Sequence, residues 1–324
     1  TQPSTVTPKD GYRFEKWQQD DLTFFNSDDE LRNSEYLEDQ TFIAHFIVRR
    51  DLHYEIHYFY EDANGVVTED TAAAIVSDIG VFGEKILTTT VPKESEFNGK
   101  NYVLERIIGA EKRIGLDPDE NIVNVYYSID VIGKEDPDKP DNIPDKYQIT
   151  FTYVSADADK GTVTGTTSEV ATTYEITRDS VTGEIIVGNG PTAQHPTQPS
   201  TVTAKAGYKF DKWTDEDQKS FDDDAALKAA SYLEDQTFTA HFTATEQTYR
   251  VKYLDEDKNV EIRDMSDPRD AHFGDEIKGY TEKIEISGYT FVRADDLTVG
   301  TDNEQNIVNV YYGKDTNEDD IPDK

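Results

Sequence analysis

Short runs in which apolar and polar residues alternate recur along the chain, and they predict strands. Residues 149–154 (ITFTYV), 54–60 (YEIHYFY) and 307–312 (IVNVYY) carry β-branched and aromatic side chains at or near period two, the pattern of a strand with one buried face. Asn64-Gly65 stands between two such runs and marks a hairpin turn. Helical spacing is confined to two short stretches, 27–37 and 222–233. Each opens on acidic residues suited to a helix N-terminus, and Leu227, Ala230 and Leu233 recur at helical spacing in the second. Strands with one short helix per unit predict small α+β domains in which strands dominate.

The same pattern is written twice. Residues 1–17 (TQPSTVTPKDGYRFEKW) return as 197–213 (TQPSTVTAKAGYKFDKW), and 34–46 (SEYLEDQTFIAHF) return as 230–242, both at an offset of 196 (213 − 17). A second kind of unit follows each copy: YEIHYFYEDANG at 54–65 parallels YRVKYLDEDKNV at 249–260, and NIVNVYY stands at both 121–127 and 306–312. A fixed long period means a tandem array. The boundaries read as 1–48 (the C-terminal part of a first-kind unit), 52–130 (second kind), 131–147 (acidic, Pro-rich linker), 148–244 (full first-kind unit), 248–313 (second kind) and 314–324 (acidic linker). Residues 148–196 have no counterpart ahead of Thr1, so the chain reads as a fragment cut within an array. Either 1–47 leans on the unit that follows, or those strands are an extension not needed for folding. The two linkers, Pro-containing and charged, are expected to be extended and stiff.

Composition narrows the class. At 35 % hydrophobic and 31 % charged, with 19 Tyr and 15 Phe, the chain suits several small domains with thin cores better than one large core. It has no cysteine, so it uses no disulfide and tolerates an oxidising exterior. No apolar run is long enough to span a membrane and no signal peptide is visible. A net charge of −35 repels nucleic acid and anionic lipid, so neither is an expected partner.

Within GYRFEKW (11–17) and GYKFDKW (207–213), Tyr, Phe and Trp read as alternating on one strand face. Trp17 and Trp213, the only tryptophans, are therefore expected in cores, although an exposed Trp is a natural sugar contact. Tyr58, Tyr60, Tyr126, Tyr253 and Tyr311 cluster on the first and last strands of the second-kind units and are the candidate ligand contacts. Adjacent Tyr126-Tyr127 and Tyr311-Tyr312 must face opposite ways on a strand, so one of each pair is open to a ligand or to an interdomain contact.

In the final linker, Asp315, Asn317, Asp319 and Asp323 follow the D-x-N-x-D spacing of calcium loops of the EF-hand and thrombospondin type 3 kinds. Asp320 stands where glycine usually makes the sharp turn. A solvated acidic spacer is the plainer alternative, and calcium is the one cofactor to consider, though none is required. The linker at 133–146 offers Asp136, Asp138, Asp141 and Asp145, with the register broken by Pro137 and Pro140. His45, His53, His57 and His241 stand without a companion set at metal-ligand spacing. No phosphate loop, nucleophile elbow or HExxH occurs, so an enzyme is not expected. Lysine–asparagine or lysine–aspartate cross-links of the kind some surface domains carry have no local motif by which to be read.

The second-kind unit resembles the MucBP (mucin-binding protein) domain of Gram-positive surface adhesins, through VKYLDEDKN at 251–259, FGDEI at 273–277, ISGYTFV at 286–292 and NIVNVYY at 306–312. The earlier copy departs from it, with VFGEKI at 81–86 and NYVLERI at 101–107. The first-kind unit resembles the internalin B-repeat and related Listeria–Bacteroides repeats, through GYRFEKW, GYKFDKW and the TFxAHF strand. These resemblances imply β-grasp-like folds in an elongated, monomeric array. They also imply anchoring to the outer cell wall of a Gram-positive bacterium, and multivalent weak adhesion to mucin glycoproteins or their glycans. Two alternatives stand beside that: a structural stalk for a distal binding head, and a module that binds a host protein such as immunoglobulin or matrix.

Overall fold

The computed structural model describes residues 5–71, 78–87, 91–197, 201–316 and 321–323. Strands account for 46 % and helix for 7 % of it, in several small sheets, as the alternating runs predict. The chain divides into two compact units, Thr1–Ile149 with Val170–Thr192, and Thr150–Glu169 with Ala193–Lys324.

In the first copy of the first-kind repeat, the strand Tyr12–Gln19 lies between Phe24–Phe25 and Phe42–Val48, antiparallel to both. Tyr12, Phe14 and Trp17 are not in strict period two, so the reading of one alternating face needs correction. A bulge between Phe14 and Lys16 shifts the register by one, which turns Phe14 and Trp17 to the same side, 5.5 Å apart, and leaves Tyr12 46 % exposed. Bulges re-aim side chains in this way. Trp17, Phe25 and Leu31 form the buried core, and the indole N–H of Trp17 donates to Asp28 at 2.8 Å.

The expected helix is shorter than its sequence signal. It runs Asp28–Arg32, capped by Ser27, whose hydroxyl accepts from the Glu30 N–H. Leu31 is its one buried residue, and beyond Asn33 the chain turns to set Tyr36 against Phe42, ring centroids 5.3 Å apart. The second copy repeats this with Asp224–Lys228 capped by Asp223, Leu227 fully buried, and Leu233 50 % exposed instead of continuing the helix. Its Trp213 is fully buried and donates to Asp224 at 2.9 Å.

Each second-kind unit sets its first strand parallel to its last. Leu52–Glu61 runs beside Ile122–Ile129, with Lys100–Ile108 on the far side of the latter. Glu246–Asp255 runs beside Ile307–Lys314, flanked by Tyr289–Ala294. The NIVNVYY motif now has a physical reading. Its Val residues and second Tyr face inward: Val123, Val125, Val308 and Val310 are fully buried, and Tyr127 and Tyr312 nearly so. Its leading Asn is a buried clamp. Asn121 accepts from the Gly115 N–H at 2.7 Å and donates to the carbonyls of His53 and Gly115. Asn306 does the same with Gly300 and Thr248. A buried amide with its bonds made stabilises a loop that no apolar residue could hold.

The same joint connects the two kinds of unit within each copy. Gly11, at φ +78°, lies under the ring of Phe82, where a Cβ would come within 2.1 Å of it. The Phe82 N–H donates to Arg49, whose own N–H donates to Gly11. Gly207, at φ +88°, lies likewise under Phe273, with Thr245 in the place of Arg49. Only glycine accepts both the positive φ and the ring.

The linker after Asp130 is not an extended spacer; it folds back on itself. Asp130, 2 % exposed, accepts from the N–H groups of Asp141 and Asn142. Asp145 accepts from those of Val131 and Ile132. Side-chain to backbone bonds of this kind compete with extension by satisfying the chain locally. The hairpin formed by Ile176–Arg178 and Ile185–Val187 docks against the preceding second-kind unit. Arg178 donates to the carbonyls of Leu104 and Asn142, and Glu184 accepts from the Ile107 N–H at 2.6 Å.

Candidate functional site

The parallel pairing that buries Tyr127 turns Tyr126 outward, and the opposite face of the sheet becomes an aromatic strip. Phe59 and Tyr126 are register partners on adjacent strands, their rings stacked 4.9 Å apart at 15°. His57 lies two residues along, its ring 6.3 Å from Phe59 and nearly parallel. On the third strand a bulge between Leu104 and Arg106 rotates Arg106 outward, and its guanidinium sits 4.3 Å over the Tyr126 ring. At the other end of the strip, Lys146 bridges Glu61 at 2.9 Å and Glu105 at 2.8 Å. Ser128 and Tyr147 also donate to Glu105. Burial opposes ionisation of Glu105, but the bonds to Lys146 and Ser128 outweigh it and hold its pKa below the ordinary value.

The second copy rebuilds the central pair. A bulge between Phe291 and Arg293 places the Arg293 guanidinium 3.6 Å over Tyr311. Arg293 is held by Glu256 at 2.9 Å and Asp295 at 2.8 Å, and the Tyr311 hydroxyl donates to Asp295 at 3.1 Å. Leu254 and Lys252 stand where Phe59 and His57 do. Beside them lies a shallow cleft of about 560 Å³ lined by Lys252, Leu254, Asn259, Val260, Glu261, Asn309 and Tyr311.

The structure sorts the five candidate tyrosines. Tyr126 and Tyr311 lie half-buried on the outward faces. Tyr60 and Tyr253 do not: at 5 % and 3 % exposure they are core residues, and Tyr60 bonds Ser95 and stacks on Phe97 at 4.3 Å. Tyr58, half-buried, packs against the same core. The reason is parity: the even positions of Leu52–Glu61 point inward, as do Tyr249, Val251 and Tyr253 of Glu246–Asp255. Arg106, Arg293, Phe59 and His57 were not among the candidates. The bulges that expose the two arginines leave no mark in the sequence.

His57 is gripped by Glu69 at 2.6 Å and Glu55 at 2.9 Å. Burial works against the charged ring, but these two carboxylates prevail and raise its pKa. Of the candidate calcium ligands, Asn317 and Asp319 lie outside the described residues. Asp315 is 4 % exposed, and the Asp323 carboxylate accepts from the N–H and hydroxyl of Thr316. Among the described residues, no three His, Cys, Asp or Glu side chains are arranged to hold a metal ion.

An outward aromatic row capped by an arginine, with carboxylates at its rim, offers ring edges for apolar contact and guanidinium and carboxylate groups that can hydrogen-bond sugar hydroxyls. Residues 2–46 match the family model of the divergent InlB B-repeat domain, a repeat module suggestive of surface proteins. No curated protein matches the chain. No helix among the described residues is long and apolar enough to cross a membrane.

Proposed function

We propose that this chain is a segment of an extracellular adhesin of a Gram-positive bacterium, and that the outward faces of its two second-kind, MucBP-like units make weak, repeated contacts with mucin glycans. The observation that carries the reading is the arginine-over-tyrosine pair, built by the same bulge at the same register in both units. Two shallow sites suit avidity, which multiplies weak affinities without a deep pocket. The surrounding carboxylates favour neutral sugars, or acidic ones reached through a bridging cation such as calcium.

The test is retention on immobilised mucin, native and enzymatically deglycosylated, with calcium and with chelator. Binding lost on deglycosylation and weakened by Tyr126→Ala and Tyr311→Ala supports the reading. Loss on chelation brings a cation into it. Retention on both mucins points to a protein ligand and overturns glycan recognition. A second reading, a structural stalk, is favoured by the glycine–phenylalanine joint repeated in each copy; it predicts no retention on either mucin.

A further inference from the structure

Beside each arginine–tyrosine pair, the next row across the outward face is polar, and it repeats in both second-kind units. In the earlier unit His57 is the register partner of Asn124 across the parallel strands. Glu69, on the edge strand Val67–Glu69, grips His57 at 2.6 Å. In the later unit Lys252 is the register partner of Asn309. Glu261, on the edge strand Glu261–Arg263, lies 3.6 Å from the Lys252 ammonium. Each row thus runs from a carboxylate through a base to the second Asn of NIVNVYY. Strand alternation puts that Asn outward, half-buried, because the Val on either side of it is fully buried.

The apolar row is where the two units differ. In the earlier one the Phe59 ring lies stacked on Tyr126. In the later one Leu254 stands there, and the cleft of about 560 Å³ opens beside it, within the ~300–1,000 Å³ usual for small-molecule sites. Its lining has three chemistries. Leu254, Val260 and Tyr311 are apolar, Asn259 and Asn309 are amides, and Lys252 with Glu261 is an ion pair. The cations here already have partners: Lys252 has Glu261, and Arg293 has Glu256 and Asp295. A ligand carboxylate or sulfate would therefore meet three carboxylates and no free cation, which disfavours it. A sugar with hydroxyls alone would set polar groups against Leu254 and Val260. The lining fits a neutral ligand that joins a methyl group to an amide.

We propose, on the footing that the outward faces recognise glycans, that the cleft beside Tyr311 takes an N-acetylhexosamine of the glycan chain. The acetamido N–H donates to the side-chain oxygen of Asn309, and the Asn309 amide nitrogen donates to the acetamido carbonyl, a two-way pairing of amide with amide. The acetyl methyl lies against Leu254 and Val260, and the sugar hydroxyls reach Lys252 and Glu261. In a shallow cleft the affinity is on the order of millimolar, the range in which a multivalent ligand gains from avidity. Phe59 fills the corresponding place in the earlier unit, so that unit keeps its ring edges and lacks this specificity.

The experiment adds N-acetylglucosamine, N-acetylgalactosamine, fucose, galactose and N-acetylneuraminic acid, one at a time, to the whole chain. Backbone amide NMR shifts locate each sugar, and saturation transfer shows which of its protons touch the protein. Both N-acetylhexosamines are expected to shift Leu254, Val260 and Asn309, with the acetyl methyl most strongly saturated. Fucose has a methyl but no amide, galactose has neither, and the acidic sugar carries a carboxylate; each should bind about fivefold more weakly or worse. Asn309→Ala should weaken the N-acetylhexosamines by about fivefold and leave galactose unchanged. Leu254→Phe, a side chain that the earlier unit already accommodates as Phe59, should fill the cleft and remove the shifts. A stronger response to the galacto form would indicate mucin chains as the source, and to the gluco form chitin-like or cell-wall chains. Equal binding of fucose or galactose, tighter binding of the acidic sugar, or undiminished binding by Asn309→Ala would overturn the assignment and leave glycan recognition standing. Retention on mucin with no sugar response at the cleft would do the same. No sugar response together with no retention on mucin would overturn both.

Discussion

Asp130 shows how far burial moves a single carboxyl group. It is enclosed beside Asp141 and Asp145, and its pKa is raised from 3.8 to about 6 by loss of solvent, against the pull of two backbone N–H groups. Because the folded value lies above the unfolded one, the folded state holds the proton more tightly. The resulting stabilisation is present below about pH 4 and is lost as pH rises through about 6. A carbon-detected carboxyl titration should find the Asp130 midpoint near 6, and a midpoint under 4.5 would refute the assignment. His57 contributes in the same direction at higher pH. Its raised pKa means a contribution present below the unfolded value of 6.5 and lost as pH passes the folded one. Asn306 is held by chemistry instead of charge. Replacing it by Ala leaves the Gly300 N–H and two carbonyls without their partner, which should cost roughly 2–4 kcal/mol, read as a lower urea midpoint. Asn306→Asp should do no better, since a buried carboxylate keeps the acceptor but loses the donors.

Among the elements, the two short helices and the two joints are where small changes should matter most. Leu227 is the only helical side chain buried in its repeat, so Leu227→Ala should cost about 2–5 kcal/mol and raise hydrogen exchange across the strand Gln236–Ala244. At the joint, Gly207→Ala must place a Cβ 2.4 Å from the Phe273 ring while holding φ at +88°. A loss of about 1–3 kcal/mol is expected, seen as faster exchange of the Thr245 and Phe273 N–H groups with other protection unchanged. Much of this was legible beforehand. The period-two runs located the long strands, the acidic openings located both helix starts, and identical phrases located the repeats. The helix ends were not legible, because Ala230 and Leu233 continue the helical spacing while the chain leaves the helix to cover the core with Tyr232. The arginine–tyrosine pairs were half legible. Adjacent tyrosines guaranteed one outward ring, but the bulges that lift Arg106 and Arg293 follow from packing around them.

For the molecule as a whole, charge and repetition are the governing quantities. With a net charge of −35, carboxylates repel one another across the surface, and added salt screens them. Raising sodium chloride from low ionic strength to half molar should increase Tm by a few degrees, on the order of 1 kcal/mol. A fall in Tm would mean that the ion pairs outweigh the repulsion. Repetition makes its own prediction at this scale. If both outward faces engage a multivalent mucin, Tyr126→Ala and Tyr311→Ala should each weaken retention modestly, and the double variant should weaken it by more than the two effects combined.

The sequence by itself determined the strand-rich class, the tandem order and the inward–outward split of each tyrosine pair. The order is set by repeated phrases, and the other two depend on the period of a local pattern, which neighbours in the chain are enough to set. Tertiary structure alone decided that Tyr60 and Tyr253 are core, that Gly11 and Gly207 are seats for phenylalanine, and that the first linker folds on buried aspartates. These depend on residues distant in sequence meeting in space.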